Sequence, residues 1–118
     1  MLNTGMSIKR GEVWLAALDP TIGGEIQKTR PVVVVSNNIS NAHNNVVLVI
    51  SSTSNVNRLL SFENYIPTGV GGITQDSKAK PDQIRTIDKS RLIKLNGTLP
   101  DTYVQQLNKA LKFHLGLN

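Results

Sequence analysis

The chain has 118 residues, 39% of them apolar and only 4% aromatic, with 13 Lys plus Arg against 8 Asp plus Glu for a net charge of +5. This length suits one domain with a core of Val, Ile and Leu, and the positive balance favours a polyanionic or acidic partner. There is no cysteine, which excludes disulfides, zinc–thiolate sites and a Cys nucleophile. The stretch Met1 to Lys9 has no long apolar run, and no segment approaches the length of a membrane span. The expectation is a soluble, cytoplasmic protein with no membrane association. Residues 1–8 read as a flexible N-terminal segment and residues 9–118 as one domain.

Gly11 to Leu18 reads as a first strand, ended by Asp19-Pro20. A polar loop, Thr21 to Thr29, leads to Arg30 and Pro31 and then to four consecutive valines, Val32 to Val35. Such a β-branched run predicts a strand buried on both faces, and Pro31, lacking an N–H, predicts where it begins. Asn37 to Asn41 reads as a turn or one helical turn, Asn45 to Ser52 as a third strand and Phe62 to Pro67 as a fourth. Gly69-Val70-Gly71-Gly72 reads as a turn, since no strand–loop–helix context surrounds it to make a phosphate loop. Ser77 to Asp88 predicts one or two short strands and Arg91 to Leu95 another.

Pro100 and Asp101 then open a helix, with the proline at the first helical position. Val104, Leu107, Leu111 and Leu115 follow at helical spacing, predicting one face packed on the sheet, and Gly116 ends it. Six or seven short strands and one C-terminal helix give a mainly β fold, a small barrel or strongly curved sheet.

Arg30 stands at the rim of the valine strand, where a fixed cation meets an anion such as phosphate at little ordering cost; the plainer alternative is a surface arginine paired with a carboxylate. Thr53 ends the third strand. If the second and third strands pair antiparallel, Arg30 and Thr53 share one end of the sheet; otherwise Thr53 is an ordinary turn hydroxyl. Glu25 and Asp82 are the candidate carboxylates, each close in sequence to cations. His43 and His114 have no neighbour at metal-ligand spacing, so no metal site and no cofactor are expected. Trp14 reads as core. Base contacts would fall to amides and hydroxyls such as Gln27, Asn55 and Gln83.

These motifs, in this order, resemble the MazF/PemK toxins of type II toxin–antitoxin systems. The resemblance runs through Lys9-Arg10-Gly11-Glu12-Val13-Trp14, Leu18-Asp19-Pro20-Thr21, Gly23-Gly24-Glu25, Thr29-Arg30-Pro31-Val32-Val33-Val34-Val35-Ser36, Ser52-Thr53 and Asp82-Gln83-Ile84-Arg85-Thr86-Ile87-Asp88-Lys89. It implies an SH3-like barrel working as a homodimer. It also implies a metal-independent, sequence-specific endoribonuclease acting on single-stranded RNA, held by a cognate antitoxin with an acidic, flexible segment and binding DNA together with it. The family's catalytic arginine falls on Arg30, its catalytic threonine or serine on Thr53, its loop glutamate on Glu25 and its later aspartate on Asp82. Lys80 stands where PemK-type members carry an arginine. Gln27, Lys28, Thr29, Ser52, Asn55, Lys80, Gln83 and Arg85 are the accompanying RNA-binding candidates.

RNA supplies its own nucleophile, the 2′-OH, so cleavage to a 2′,3′-cyclic phosphate and a 5′-OH requires only orientation, charge stabilisation and proton transfer. An arginine guanidinium holds its proton too firmly to serve as sole general acid, so Arg30 is cast as electrostatic stabiliser. Thr53 would orient the phosphate or the 2′-OH, and Glu25 or Asp82 would take the proton. Two other readings share the fold: a CcdB-like toxin that binds gyrase without catalysis, and a degenerate homologue that binds antitoxin only.

Overall fold

Alternation along the valine run sorts Val32 and Val34 into one apolar cluster and Val33 and Val35 into another, so this strand is buried on both faces as expected. The computed structural model describes residues 7–18 and 29–117. Among them six strands form one antiparallel sheet: β1 (Glu12–Ala17), β2 (Thr29–Val34), β3 (Val46–Thr53), β4 (Asn64–Ile66), β5 (Ser77–Asp88) and β6 (Leu92–Thr98). Their order is β4-β5-β3-β2-β1-β6. Helix α1 (Asn38–His43) joins β2 to β3, capped by the Asn37 side chain accepting from the Ser40 N–H, and helix α2 (Asp101–Leu115) follows β6. The sheet curls into a half-barrel around the second cluster, which Leu107 and Leu111 of α2 complete. This is the mainly β barrel with a C-terminal helix that the sequence predicts.

Several boundaries differ from expectation, each for a local reason. β2 starts at Thr29, ahead of Pro31, because Arg30 and Thr29 already pair with Ala16 and Ala17 of β1. A residue in an extended strand points its N–H and C=O to the same neighbour. The Pro31 carbonyl accepts from the Ser52 hydroxyl of β3 at 2.7 Å, so the missing N–H falls on the β3 side and leaves the β1 ladder intact. Pro100 is the residue before α2 and Asp101 its first, and Leu115 is exposed beyond the stripe that faces the sheet. β4 is shorter than Phe62 to Pro67, because the Glu63 carboxylate accepts from the Leu60 N–H and ends a turn there.

β5 is a single long strand with a large irregularity. Ile50 pairs with Ile84 and Ser52 with Ala79, so two steps along β3 face five along β5, which carries three extra residues around Lys80 to Gln83. Pro81 within them is fully buried. A bulge bends the strand and re-aims its side chains. Gly72 explains the glycine turn: its φ is +75°, and a Cβ there would sit 2.0 Å from the Asn96 carbonyl oxygen of β6. The glycines serve a close backbone approach to the neighbouring strand. Trp14 lies in the first cluster at 5% exposure, a core residue.

Candidate active site

The register between β2 and β3 pairs Val32 with Ser51, and one step outward the Ser52 hydroxyl meets the Pro31 carbonyl. Carried one residue further, the same register sets Arg30 across from Thr53. Alternation puts Arg30 on the face of Val32 and Val34, and Thr53 on the face of Val47 and Val49. All four valines belong to one cluster, so the arginine and the threonine share a face of the sheet at the same end, as antiparallel pairing predicts. Thr53 also pairs with Lys78 of β5, which brings a third strand to the same point.

Arg30 and Thr53 border two grooves at once. One, of about 430 Å³, is lined by Arg30, Lys78, Lys80 and Arg85 together with Ser51 and Asn55. The other, of about 360 Å³, is lined by Arg30, Thr29, Ser54, Thr74 and Gln75, with Ser52 and Thr53 common to both grooves. Among the described residues no carboxylate lines either, so the first groove has the electrostatics of an anion site. Arg30 is half-buried and, among the described residues, has no hydrogen-bond or ion-pair partner. The alternative of a carboxylate-paired Arg30 is thereby set aside among the described residues. Thr53 Oγ1 accepts from the Asn55 N–H at 3.2 Å, which leaves the hydroxyl proton to point elsewhere.

The surrounding charges are held by the fold. Lys78 Nζ pairs with Glu63 Oε1 at 2.9 Å, with side-chain exposures of 10% and 2%, and also donates to the Arg58 carbonyl. Burial opposes charge on Glu63, but the Leu60 N–H and the Lys78 ammonium outweigh it and hold the carboxyl below the ordinary glutamate range. Lys78 therefore ties the 54–63 loop to the strand that carries the groove. Arg85 donates to the Leu18 carbonyl at 3.0 Å and Arg91 to the Ala17 carbonyl at 3.1 Å, fixing the end of β1 beside the same groove.

Of the residues expected from sequence, the structure brings together Arg30, Thr53, Thr29, Ser52, Asn55, Lys80, Gln83 and Arg85. Asp82 sits on the bulge of β5, exposed, and lines neither groove. Glu25, Gln27 and Lys28 lie outside the described residues. Lys78, Thr74 and Gln75 were not among the expected site residues. Lys78 had a signal, the Lys78-x-Lys80 alternation on one strand, whereas Thr74 and Gln75 reach the site only through a turn. Among the described residues no group of His, Cys, Asp or Glu is clustered to hold a metal ion, and no described helix is long and apolar enough to cross a membrane.

The chain is similar to known proteins along nearly its whole length. The family model of PemK-like, MazF-like toxins of type II toxin–antitoxin systems matches residues 9–115. The endoribonuclease MazF9 of Mycobacterium tuberculosis is 37% identical over 115 residues, 93% of this chain and 98% of the relative. The M. tuberculosis toxin MazF-mt6 superposes with a TM-score of 0.77 at 26% identity, covering 91% of this chain and 98% of that one. A mycobacterial endoribonuclease in complex with its cognate antitoxin superposes with a TM-score of 0.74 at 23% identity, covering 95% of this chain and 96% of that one.

Proposed function

Because the chain belongs to the family of PemK-like, MazF-like toxins of type II toxin–antitoxin systems, we propose that it is an endoribonuclease cutting single-stranded RNA at a phosphate held between Arg30 and Thr53. The observation that carries this reading is the half-buried Arg30, without a partner among the described residues, across from the Thr53 hydroxyl at the meeting of two grooves. The 2′-OH attacks the adjacent phosphorus, the bond to the 5′-oxygen breaks as that oxygen takes a proton from solvent, and the products are a 2′,3′-cyclic phosphate and a 5′-OH end. Arg30 stabilises charge on the phosphoryl oxygens as it builds. Thr53, with one lone pair engaged by the Asn55 N–H, orients the phosphate or the 2′-OH by hydrogen bonding. Of the two candidate carboxylates Asp82 lines neither groove, so Glu25 takes the 2′-OH proton. The reaction proceeds without a metal ion, and the cytoplasm holds its substrate, messenger RNA.

A cognate antitoxin with an acidic segment fits the same cationic groove, as the antitoxin complex of the mycobacterial relative suggests. A homodimer is supported by β6, an edge strand carrying exposed Ile93 and Leu95. The test is incubation of the purified protein with single-stranded RNAs in EDTA, followed by analysis of the product ends. Cleavage with cyclic phosphate and 5′-OH ends is expected. No cleavage in EDTA that returns with added magnesium would overturn metal independence. No cleavage under any condition, with antitoxin binding retained, would leave a non-enzymatic toxin.

A further inference from the structure

The two grooves that meet at Arg30 and Thr53 differ in chemistry. Among the described residues the first is lined by four cations, Arg30, Lys78, Lys80 and Arg85, beside the Asn55 and Gln83 amides. In the second, Arg30 at the shared boundary is the only charged lining residue among the described residues, and the remainder are hydroxyls, the Gln75 amide and apolar carbon. A strand of RNA whose scissile phosphate lies at Arg30 sends its neighbouring nucleotides into both. Phosphate contacts fix register, whereas contacts to base edges carry sequence, and RNA is read chiefly through unstacked single-stranded bases. From this contrast we infer that the Gln75 groove is a base-reading subsite for the nucleotide flanking the cut on one side, and that the cations of the other groove grip backbone.

Gln75 has the properties such a reader needs. Its amide offers both a donor and an acceptor, a pattern that matches a base edge and is only half used by a phosphate. Among the described residues the side chain has no hydrogen-bond partner. The backbone that carries it is braced on both sides. Ser77 Oγ donates to the Gln75 carbonyl at 2.8 Å. The Asp76 carboxylate accepts from the Thr68 N–H at 2.9 Å and from the Thr68 hydroxyl at 2.8 Å. Ile73, two residues before, is anchored in the core at 3% exposure. A free amide on a fixed backbone discriminates better than one on a mobile loop, because a wrong base leaves it unpaired with no adjustment available.

This inference rests on the endoribonuclease reading, and one experiment separates the two. An RNA library randomised around a wild-type cleavage site is cut by the wild type, by Gln75→Ala and by Lys80→Ala, and the product ends are sequenced. Gln75→Ala is expected to lose preference at one position flanking the cut by roughly ten-fold or more, with the other positions unchanged. Lys80→Ala is expected to keep every preference and to lower the log–log salt slope of binding by about 0.7, the share of one phosphate on a single strand. An unaltered preference in Gln75→Ala, or an equal loss across all sequences, overturns the subsite while the endoribonuclease reading stands. A wild type that leaves the library uncut overturns that reading and the subsite with it.

Discussion

The Ser52 hydroxyl donates to the Pro31 carbonyl at 2.7 Å, and this side-chain bond ties β2 to β3 at the residue that has no N–H to offer. It continues the pairing of the two strands one step beyond Val32 and Ser51, to the point where Arg30 and Thr53 stand opposite each other. The order of Arg30, Pro31, Ser52 and Thr53 in the chain is thus one arrangement. One residue of each pair carries the proposed chemistry and the other holds the strands in place.

Arg30→Ala should fold normally, since the side chain has no partner among the described residues, and should lose RNA cleavage. Removing a preorganised donor of this kind costs about 3 to 4 kcal/mol, roughly a hundred- to thousand-fold in rate. Circular dichroism and single-turnover cleavage check the two halves. Near-wild-type cleavage by a folded Arg30→Ala protein would end the assignment.

An RNA with 2′-deoxyribose at the cleaved position alone should bind as well as the parent strand and stay intact, because it lacks the nucleophile. Electrophoresis after long incubation decides this. Any cutting of the analogue at that bond means that the attacking group comes from water or the protein.

The Glu63–Lys78 pair should give the protein an acid-sensitive component of stability. The Glu63 carboxyl lies below its ordinary value of 4.5 in the folded state. Its contribution is therefore complete above about pH 4.5 and is lost as pH falls through the folded value. Glu63→Gln should flatten this part of the stability–pH curve. Leaving the buried Lys78 unpaired should also cost about 3 kcal/mol near neutral pH. Urea unfolding of both proteins between pH 3 and pH 7, at roughly half-unit steps, measures both effects.

Gly72→Ala should destabilise the fold by roughly 2 kcal/mol or more, since the new Cβ meets the Asn96 carbonyl and φ is left-handed. Gly69 has φ +94° and nothing within 4 Å of the position a Cβ would take, so it should tolerate alanine better. Thermal unfolding of the two variants side by side gives the comparison. Equal melting temperatures would mean that the close approach to β6 is not what requires Gly72.

If the homodimer forms through β6, Ile93→Asp should shift it toward monomer without unfolding it, because Ile93 is 55% exposed in the single chain. Sedimentation velocity across a dilution series reads this directly. A wild type that sediments as a monomer at every concentration would contradict the dimer.

The barrel was legible from the sequence because its strands follow the simplest rule, β-branched runs bounded by turns, as at Val32 to Val35 and Val46 to Ile50. Arg30 and Thr53 were legible because antiparallel pairing of neighbouring strands is a local inference. Gln75 and Lys78 were not, since their roles depend on where a turn crosses β6 and on a partner, Glu63, 15 residues away in sequence. Strand ends failed for a related reason: Pro31 breaks only the ladder on the side it faces, and sequence does not say which neighbour that is. The bulge in β5 left no mark in composition, because Lys80-Pro81-Asp82-Gln83 reads equally well as a strand interrupted by a turn.

That bulge also bears on how the protein can change over time. Its extra residues stand outside the pairing of β3 with β5, while Pro81 pins the segment to the interior. Residues 80, 82 and 83 can therefore be exchanged, lengthened in reach or reversed in charge without shifting any other strand by a residue. A mobile loop would offer the same variety at the expense of aim. Here a rigid frame carries a small interchangeable edge against its groove, so the strength of the grip on RNA can change in a few substitutions that leave the rest of the barrel untouched.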